Sequence, residues 1–339
     1  MSGTDAQRKR RLGIGLALAS VLLFAGGLAA GSDGWSATAL MQLMAGPDGT
    51  LIVGQIRAPR TLGAWLTGAL LGLAGATAQG LFRNPLADPY LLGSAAGASL
   101  GVVVVLAAAA LGGQAIGLAT ADALARVGLV GAAFAGALLG VLLTLLLARG
   151  AQQTTRLLLA GVVVGVVLAA VSDLVTSIAP EALRGRQAFM LGSTGYLGWG
   201  SCAALAIGLA LSLPPAWRLA RALDALTLGP DSARSLGLEL PRLRFALVAV
   251  LALATGVAVS QAGLIAFVGL VSPHLVRRFA PAPYGYTLVA SAAAGGALLL
   301  GADVLARVLI APQEVPVGVL TALLGGGYLI WLLHRGRQR

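Results

Sequence analysis

Apolar runs long enough to cross a bilayer recur along this chain, each closed by a short cluster of arginine, proline, glycine or acid. The first spans Leu12 to Gly31 and follows Arg8, Lys9, Arg10 and Arg11. A cleaved leader would have a shorter apolar core and a cleaner small-residue site than Ala29-Ala30-Gly31, so the run reads as an uncleaved first span. A mixed stretch over 32–56, with Trp35, Met41, Met44 and Asp48, is expected at the outer surface. Further spans are expected over 61–82, 91–111, 127–148, 157–178, 197–213, 245–259, 264–276, 287–305 and 317–333. Pro214-Pro215 is expected to stop the sixth, an amphipathic piece over 189–196 precedes it, and Pro273 interrupts the short eighth. The pattern predicts an all-α polytopic membrane protein with about ten transmembrane helices, residues 1–339 forming one transmembrane domain.

The longest polar interruption is 218–244, which carries five arginines together with Asp224, Asp231 and Glu239. Within it, Gly229-Pro230-Asp231 followed by Ala233, Arg234, Leu236 and Gly237 predicts one short helix. Pro230 suits the first helical position and Gly237 a left-handed stop. A capped helix held beside a membrane suits the grip of another protein, and an ordinary solvated loop is the competing reading.

Composition agrees with the membrane assignment. The 339 residues are 58% hydrophobic and 10% charged, with a mean hydropathy of +0.90, where soluble domains carry about 25% charged residues. The net charge of +11 does not point to nucleic acid, because the basic residues sit in short loops between apolar runs. With the N-terminus inside, most of the 23 Lys and Arg fall on the cytoplasmic side, 218–244 among them. Arg57, Arg60, Arg126, Arg184, Arg186 and Arg307 fall on the other.

Candidate chemistry is sparse. Lys9 is the only lysine, so no Gly-Lys-Ser/Thr phosphate loop exists and the chain cannot hydrolyse ATP by that route. Cys202 stands alone, and His274 and His334 cannot build a metal site between them. No catalytic constellation is evident. Asp173, near the end of the fifth span, could be a proton or cation site, but its expected place is the outer boundary beside Arg184 or Arg186. Asp303 and Arg307 are four apart and read as a surface ion pair. Arg57, Arg60 and Arg307 run against the inside-positive bias. A cluster there could receive carboxylates from an external protein or anchor lipid phosphates.

The stretches RAPRTLGAWLTGALLGLAGATAQGLFRNPLADPYLLG, LLLAGVVVGVV, LGPDSARSLGL, GLIAFVGLVSPHLVRR, GADVLAR and PVGVLTALLGGGYLIWLL resemble, in order, the FecCD-like permeases of bacterial importers for iron chelates, haem and cobalamin. The resemblance implies a type II ABC importer permease of the bacterial inner membrane, both termini cytoplasmic. It implies a homodimer, two cytoplasmic ATPase subunits that hold the ATP and Mg, and a periplasmic substrate-binding protein, with no cofactor on this chain. By the same resemblance Gly229, Pro230, Asp231, Ala233, Arg234 and Gly237 form the coupling helix, and Arg57, Arg60 and Arg307 dock the binding protein. Asn84, Leu86, Thr154 and Thr155 form the cytoplasmic gate. Arg184 and Arg186 lie near the mouth of the path, where they favour an anionic ligand, haem before a ferric siderophore, with cobalamin the alternative. A proton-coupled secondary transporter, which would need an embedded acid such as Asp173, is the competing class.

Overall fold

The computed structural model describes residues 3–31, 34–35, 46, 49–112, 123–149 and 153–336. Met41, Met44, Asp48, Asp122 and residues 150–152 lie outside these. Helix α1 (Gly3–Ala29) leads into a two-residue hairpin, β1 (Ala30–Gly31) against β2 (Gly34–Trp35). Helix α2 is continuous from Gly49–Leu51 through a π-helical turn, Ile52–Arg57, to Ala58–Phe82. Then come α3 (Ser94–Leu111), α4 (Ala123–Leu147), α5 (Thr154–Ile178), α6 (Ala182–Leu191) and α7 (Trp199–Arg218). The polar segment holds α8 (Ala220–Thr227) and α9 (Pro230–Ser235), and α10 (Leu240–Ala262), α11 (Val268–Phe279), α12 (Tyr284–Val308) and α13 (Val317–Gly336) complete the chain.

Among the described residues, eight helices are long and apolar enough to cross a membrane. The short α11 and the terminal α13 account for the other two expected spans. Three boundaries differ from the sequence reading. Arg57 and Arg60 lie on α2 rather than before it, because the π-turn carries the helix across Pro59. Helix α7 continues through Pro214 and Pro215 to Arg218, since two missing amide donors in the final turn do not stop a chain whose φ already suits a helix. Residues 182–191, expected to begin as a loop, form α6. The following 192–198 are irregular.

Helix α2 is the axis of the bundle: from Thr61 to Phe82 nearly every residue is buried, enclosed by α12, α10, α11 and α7. Its polar side chains are small, and Thr77 returns its hydroxyl to the carbonyl of Leu73. Against α12 the approach is backbone to backbone. A Cβ on Gly68 would strike the Gly295 carbonyl, one on Gly72 the Ser291 carbonyl, and one on Gly295 the Gly68 carbonyl. Lipid tails are as apolar as leucine, so association inside a bilayer depends on this close van der Waals fit. A second such pair, Gly97 on α3 and Gly136 on α4, holds the neighbouring helices. By contrast α5 buries one stripe (Leu157, Ala160, Val164, Leu168, Ser172) and exposes Leu159, Val163, Val167 and Leu174.

The bundle has two ends. One carries the turn after α2, the α8–α9 segment and the starts of α5, α10 and α12. The other carries the C-terminus of α1, the start of α2, the end of α12 and the α12–α13 connection.

Replacing Gly72 by Leu drives a side chain into backbone and costs at least the roughly 1–3 kcal/mol of an overpacked core. Detergent-solubilised G72L is expected to lose its monodisperse peak in size-exclusion chromatography. Gly15→Leu, where nothing lies within 4 Å of the added Cβ, is expected to keep it.

Candidate functional site

At the second end, three chain segments meet on one buried carboxylate, and a fourth, α1, joins through Arg307. Asp303, on the last turns of α12, has a side chain 0% exposed. It accepts from Arg60 on α2 at 3.1 and 3.2 Å, from the Thr194 hydroxyl at 2.5 Å, and from Arg307 one turn along its own helix. Arg307 is 3% exposed and also donates to the Gly27 carbonyl at 2.9 Å. Arg60 reaches across with its outer edge to Glu314, in the connection to α13, through two bonds of 2.8 Å. Arg57 donates to the Leu28 carbonyl at 3.0 Å, so Arg57 and Arg307 together cap the C-terminus of α1, where cations complement the helix dipole.

This corrects the surface ion pair expected of Asp303 and Arg307. Their i,i+4 spacing is as read, but Arg60 and Thr194 close over them and bury the pair. The three arginines therefore differ in access: Arg57 is half-buried, Arg60 is 13% exposed, and Arg307 faces inward behind it. Nothing in local sequence singled out Thr194 and Glu314, which are 109 and 254 residues from the groups they bond. Nearby, Arg186 on α6 pairs with Asp173 on α5, as expected of that acid. Arg184 is exposed.

At the first end, α9 begins with Pro230 in its first turn and ends in a two-bond left-handed cap. Gly237 sits at φ +82°, its amide bonded to the Arg234 carbonyl and the Leu238 amide to that of Ala233. Arg234 pairs with Asp231 at 2.9 Å on the exposed face, and Ala233 is buried. Sequence reasoning missed α8, whose Ala220, Leu223 and Leu226 form a buried stripe, Leu223 against Gly80 on α2 and Ala220 against Gly285 on α12. It also missed that Asp224 caps α12, accepting from the Tyr284 amide at 2.9 Å. One layer in, buried Gln79 on α2 donates to the Leu270 carbonyl at 3.2 Å and accepts from Arg277, tying α2 to α11.

The turn after α2 is rigid. Arg83 adopts a left-handed conformation, the Asn84 side chain accepts from the Leu86 amide at 2.9 Å, and that of Asp88 accepts from the Tyr90 amide at 2.8 Å. Leu86 is exposed at its tip. The turn leans on α5, for a Cβ on Gly161 would strike the Leu91 carbonyl. Thr154 and Thr155 open that same helix. Burial pushes the Asp88 carboxyl above the usual carboxylate range, with the Tyr90 amide pulling the other way.

Long apolar helices packed through glycine, with charge gathered at the two ends, define a multi-pass membrane protein. The chain belongs to the FecCD transport family, whose model matches residues 17–335. It is 40% identical over 299 residues to the vitamin B12 import system permease protein BtuC of Escherichia coli O9:H4 (strain HS), covering 86% of each chain. It is 40% identical over 298 residues to that of Klebsiella pneumoniae subsp. pneumoniae, covering 86% of this chain and 85% of the relative. Its fold matches a solved inward-facing structure described as a metal-chelate type ABC transporter, with a TM-score of 0.81 and 25% identity over 96% of this chain and 99% of that one. The protein is thus an ABC importer permease, a multi-pass protein of the inner membrane, from a family that works with ATPase and substrate-binding partners.

Asp303→Asn removes the charge that compensates two enclosed guanidinium groups. A loss of about 3–5 kcal/mol is expected, read as a lowered melting temperature in detergent. Glu314→Gln, at a half-exposed carboxylate, should change stability by no more than about 1 kcal/mol. For Asp88 the raised folded pKa means stability is greatest below the unfolded value, about 3.9, and is lost as pH rises through the folded value. Asp88→Asn keeps the acceptor for Tyr90. It should flatten the fall of the melting temperature as pH rises above the unfolded value.

Proposed function

We propose that this chain is the cobalamin permease of an ATP-driven importer, working as a homodimer with two cytoplasmic ATPase subunits and a periplasmic binding protein. The observation that carries the ligand is the 40% identity, sustained over 299 residues, to vitamin B12 import permeases. The pairing of Arg186 with Asp173 supports it. That pairing removes half of the positive charge at the path mouth that favoured haem, and cobalamin, without strong negative charge, has little need of it. A ferric chelate is the second reading, favoured by exposed Arg184 and by the metal-chelate type transporter of the same fold.

In this reading the end bearing α8 and α9 is cytoplasmic, and so are both termini. ATP-driven closure of the ATPase dimer presses on α9, on the face around Asp231 and Arg234. Gly229 and Gly237 set its two limits. The push passes through α8 to the cap that Asp224 makes on α12, and to the turn of Asn84 and Leu86 lying against α5. Tilting of α5 and α13 then moves that turn and the Thr154-Thr155 corner, opening or closing the cytoplasmic gate. The binding protein docks at the opposite end on Arg57 and Arg60. Arg307 serves from behind by holding Asp303, which orients Arg60. The path along the dimer axis is apolar and weakly binding, so selection rests with the binding protein and the permease favours release.

The test is uptake into proteoliposomes holding the permease with its ATPase, supplied with the cognate binding protein and either cyanocobalamin or haem. ATP-dependent cobalamin uptake is expected, falling at least tenfold when Arg57 and Arg60 are replaced by Glu. Haem uptake without cobalamin uptake overturns the ligand assignment. Uptake in the absence of the ATPase overturns the mechanism.

A further inference from the structure

The guanidinium of Arg60 is already occupied. Its Nε and Nη2 donate to Asp303, at 3.2 and 3.1 Å, and its Nη1 and Nη2 donate to the two oxygens of Glu314, at 2.8 Å each. Four bonds from five donors leave no second edge for an incoming carboxylate. One of the two acids must leave before Arg60 can bind a partner.

The two acids are unequal. Asp303 is 0% exposed and is held also by Thr194 and Arg307, so removing it would strand buried charge. Glu314 is 44% exposed and lies on the short connection between α12 and α13, with Arg60 as its ion-pair partner. The pair is open to approach past Gly195. A Cβ there would lie 3.9 Å from Arg60 Nη1 and 4.0 Å from Glu314 Oε2, where a larger side chain would cover both.

We propose that Glu314 is a placeholder carboxylate: it occupies Arg60 until an acidic side chain on the docking protein displaces it, and its release loosens the connection into α13. The inference rests on the reading of Arg57 and Arg60 as the docking surface. The exchange keeps the charge constant, one carboxylate leaving as another arrives. No guanidinium is left bare at the end, and the step is readily reversible. A neutral or basic surface cannot drive it, so the placeholder also selects for acidic partners. Glu314 stands three residues before Val317, and the Val315 amide bonds back to the Ala306 carbonyl at 3.1 Å. Its displacement therefore acts at the root of α13, which otherwise packs lightly at the edge of the bundle. Docking at one face thereby reaches a helix that runs to the opposite end.

The experiment uses the permease–ATPase complex in nanodiscs, titrated with the cognate periplasmic binding protein. Glu314→Gln removes the competing charge and is expected to tighten binding about three- to tenfold, the effect of one partly exposed ion pair. It should also raise ATP hydrolysis in the absence of binding protein, because the α13 connection is no longer held. Glu314→Asp, which keeps the charge but falls one methylene short, should lie between the two and serves if the Gln variant does not assemble. In an Arg60→Ala background the Gln substitution should change affinity by less than twofold. Unchanged or weaker binding by E314Q, while R60A still weakens binding, overturns the placeholder and leaves the docking surface standing. Affinity unaffected by R57A and R60A overturns the docking reading itself.

Discussion

The backbone contact between α2 and α12 is the constraint on which the rest of this structure depends. Gly68 and Gly72 face Gly295 and Ser291 with no space for a Cβ, so the two axes sit closer than ordinary side chains permit. In a bilayer no hydrophobic effect pushes helices together, and contact of this kind supplies attraction that a leucine surface would make equally well with lipid. Once α2 and α12 are locked, α10, α11 and α7 supply most of the remaining enclosure of α2, with α1 and α8 at its ends. Polar groups inside the sheath are correspondingly few. On α2 they are threonines and Gln79, the largest of them, which is satisfied by a backbone carbonyl and by Arg277.

The same pair gives the molecule its mechanical character. Asp224 pins one end of α12 to the α8–α9 segment, and Asp303 and Arg307 bind the other end to α2, α1 and the Thr194 corner. A rod fixed at both ends moves as a unit, whereas α5 and α13 are held along one stripe or at one root. In the proposed mechanism, displacement at either end would fall on these peripheral helices and not on the glycine seam. The α9 helix is fixed at its end by a left-handed cap at Gly237 and anchored by buried Ala233.

The buried ion cluster shows how membrane proteins use charge. Two arginines and an aspartate enclosed together are costly to assemble, and each would be more costly alone. What the cluster supplies is geometry. It draws α1, α2, α12 and the loop at Thr194 to one point and leaves a single guanidinium edge facing outward, toward Glu314.

The sequence by itself determined the class, the helices and much of the end chemistry. Apolar runs of bilayer length, arginines in the loops and the absence of a phosphate-loop lysine are local facts, and the physics that reads them is local too. The short helix at Pro230–Gly237 was legible because capping is decided by neighbouring residues, and the pairing of Asp173 followed from boundary position. Tertiary structure alone decided which charges are accessible. Asp303 and Arg307 carry the spacing of a surface pair, and only the arrival of Arg60 and Thr194 from distant segments buries them. Glu314 has no local signal, since its role comes from a partner 254 residues away. Asp224 was one acid among several in a polar segment until the start of α12 came within reach of it. Periodicity fixes what each stretch of chain can become, but burial and pairing depend on where other stretches are brought, and that is a property of the assembled bundle.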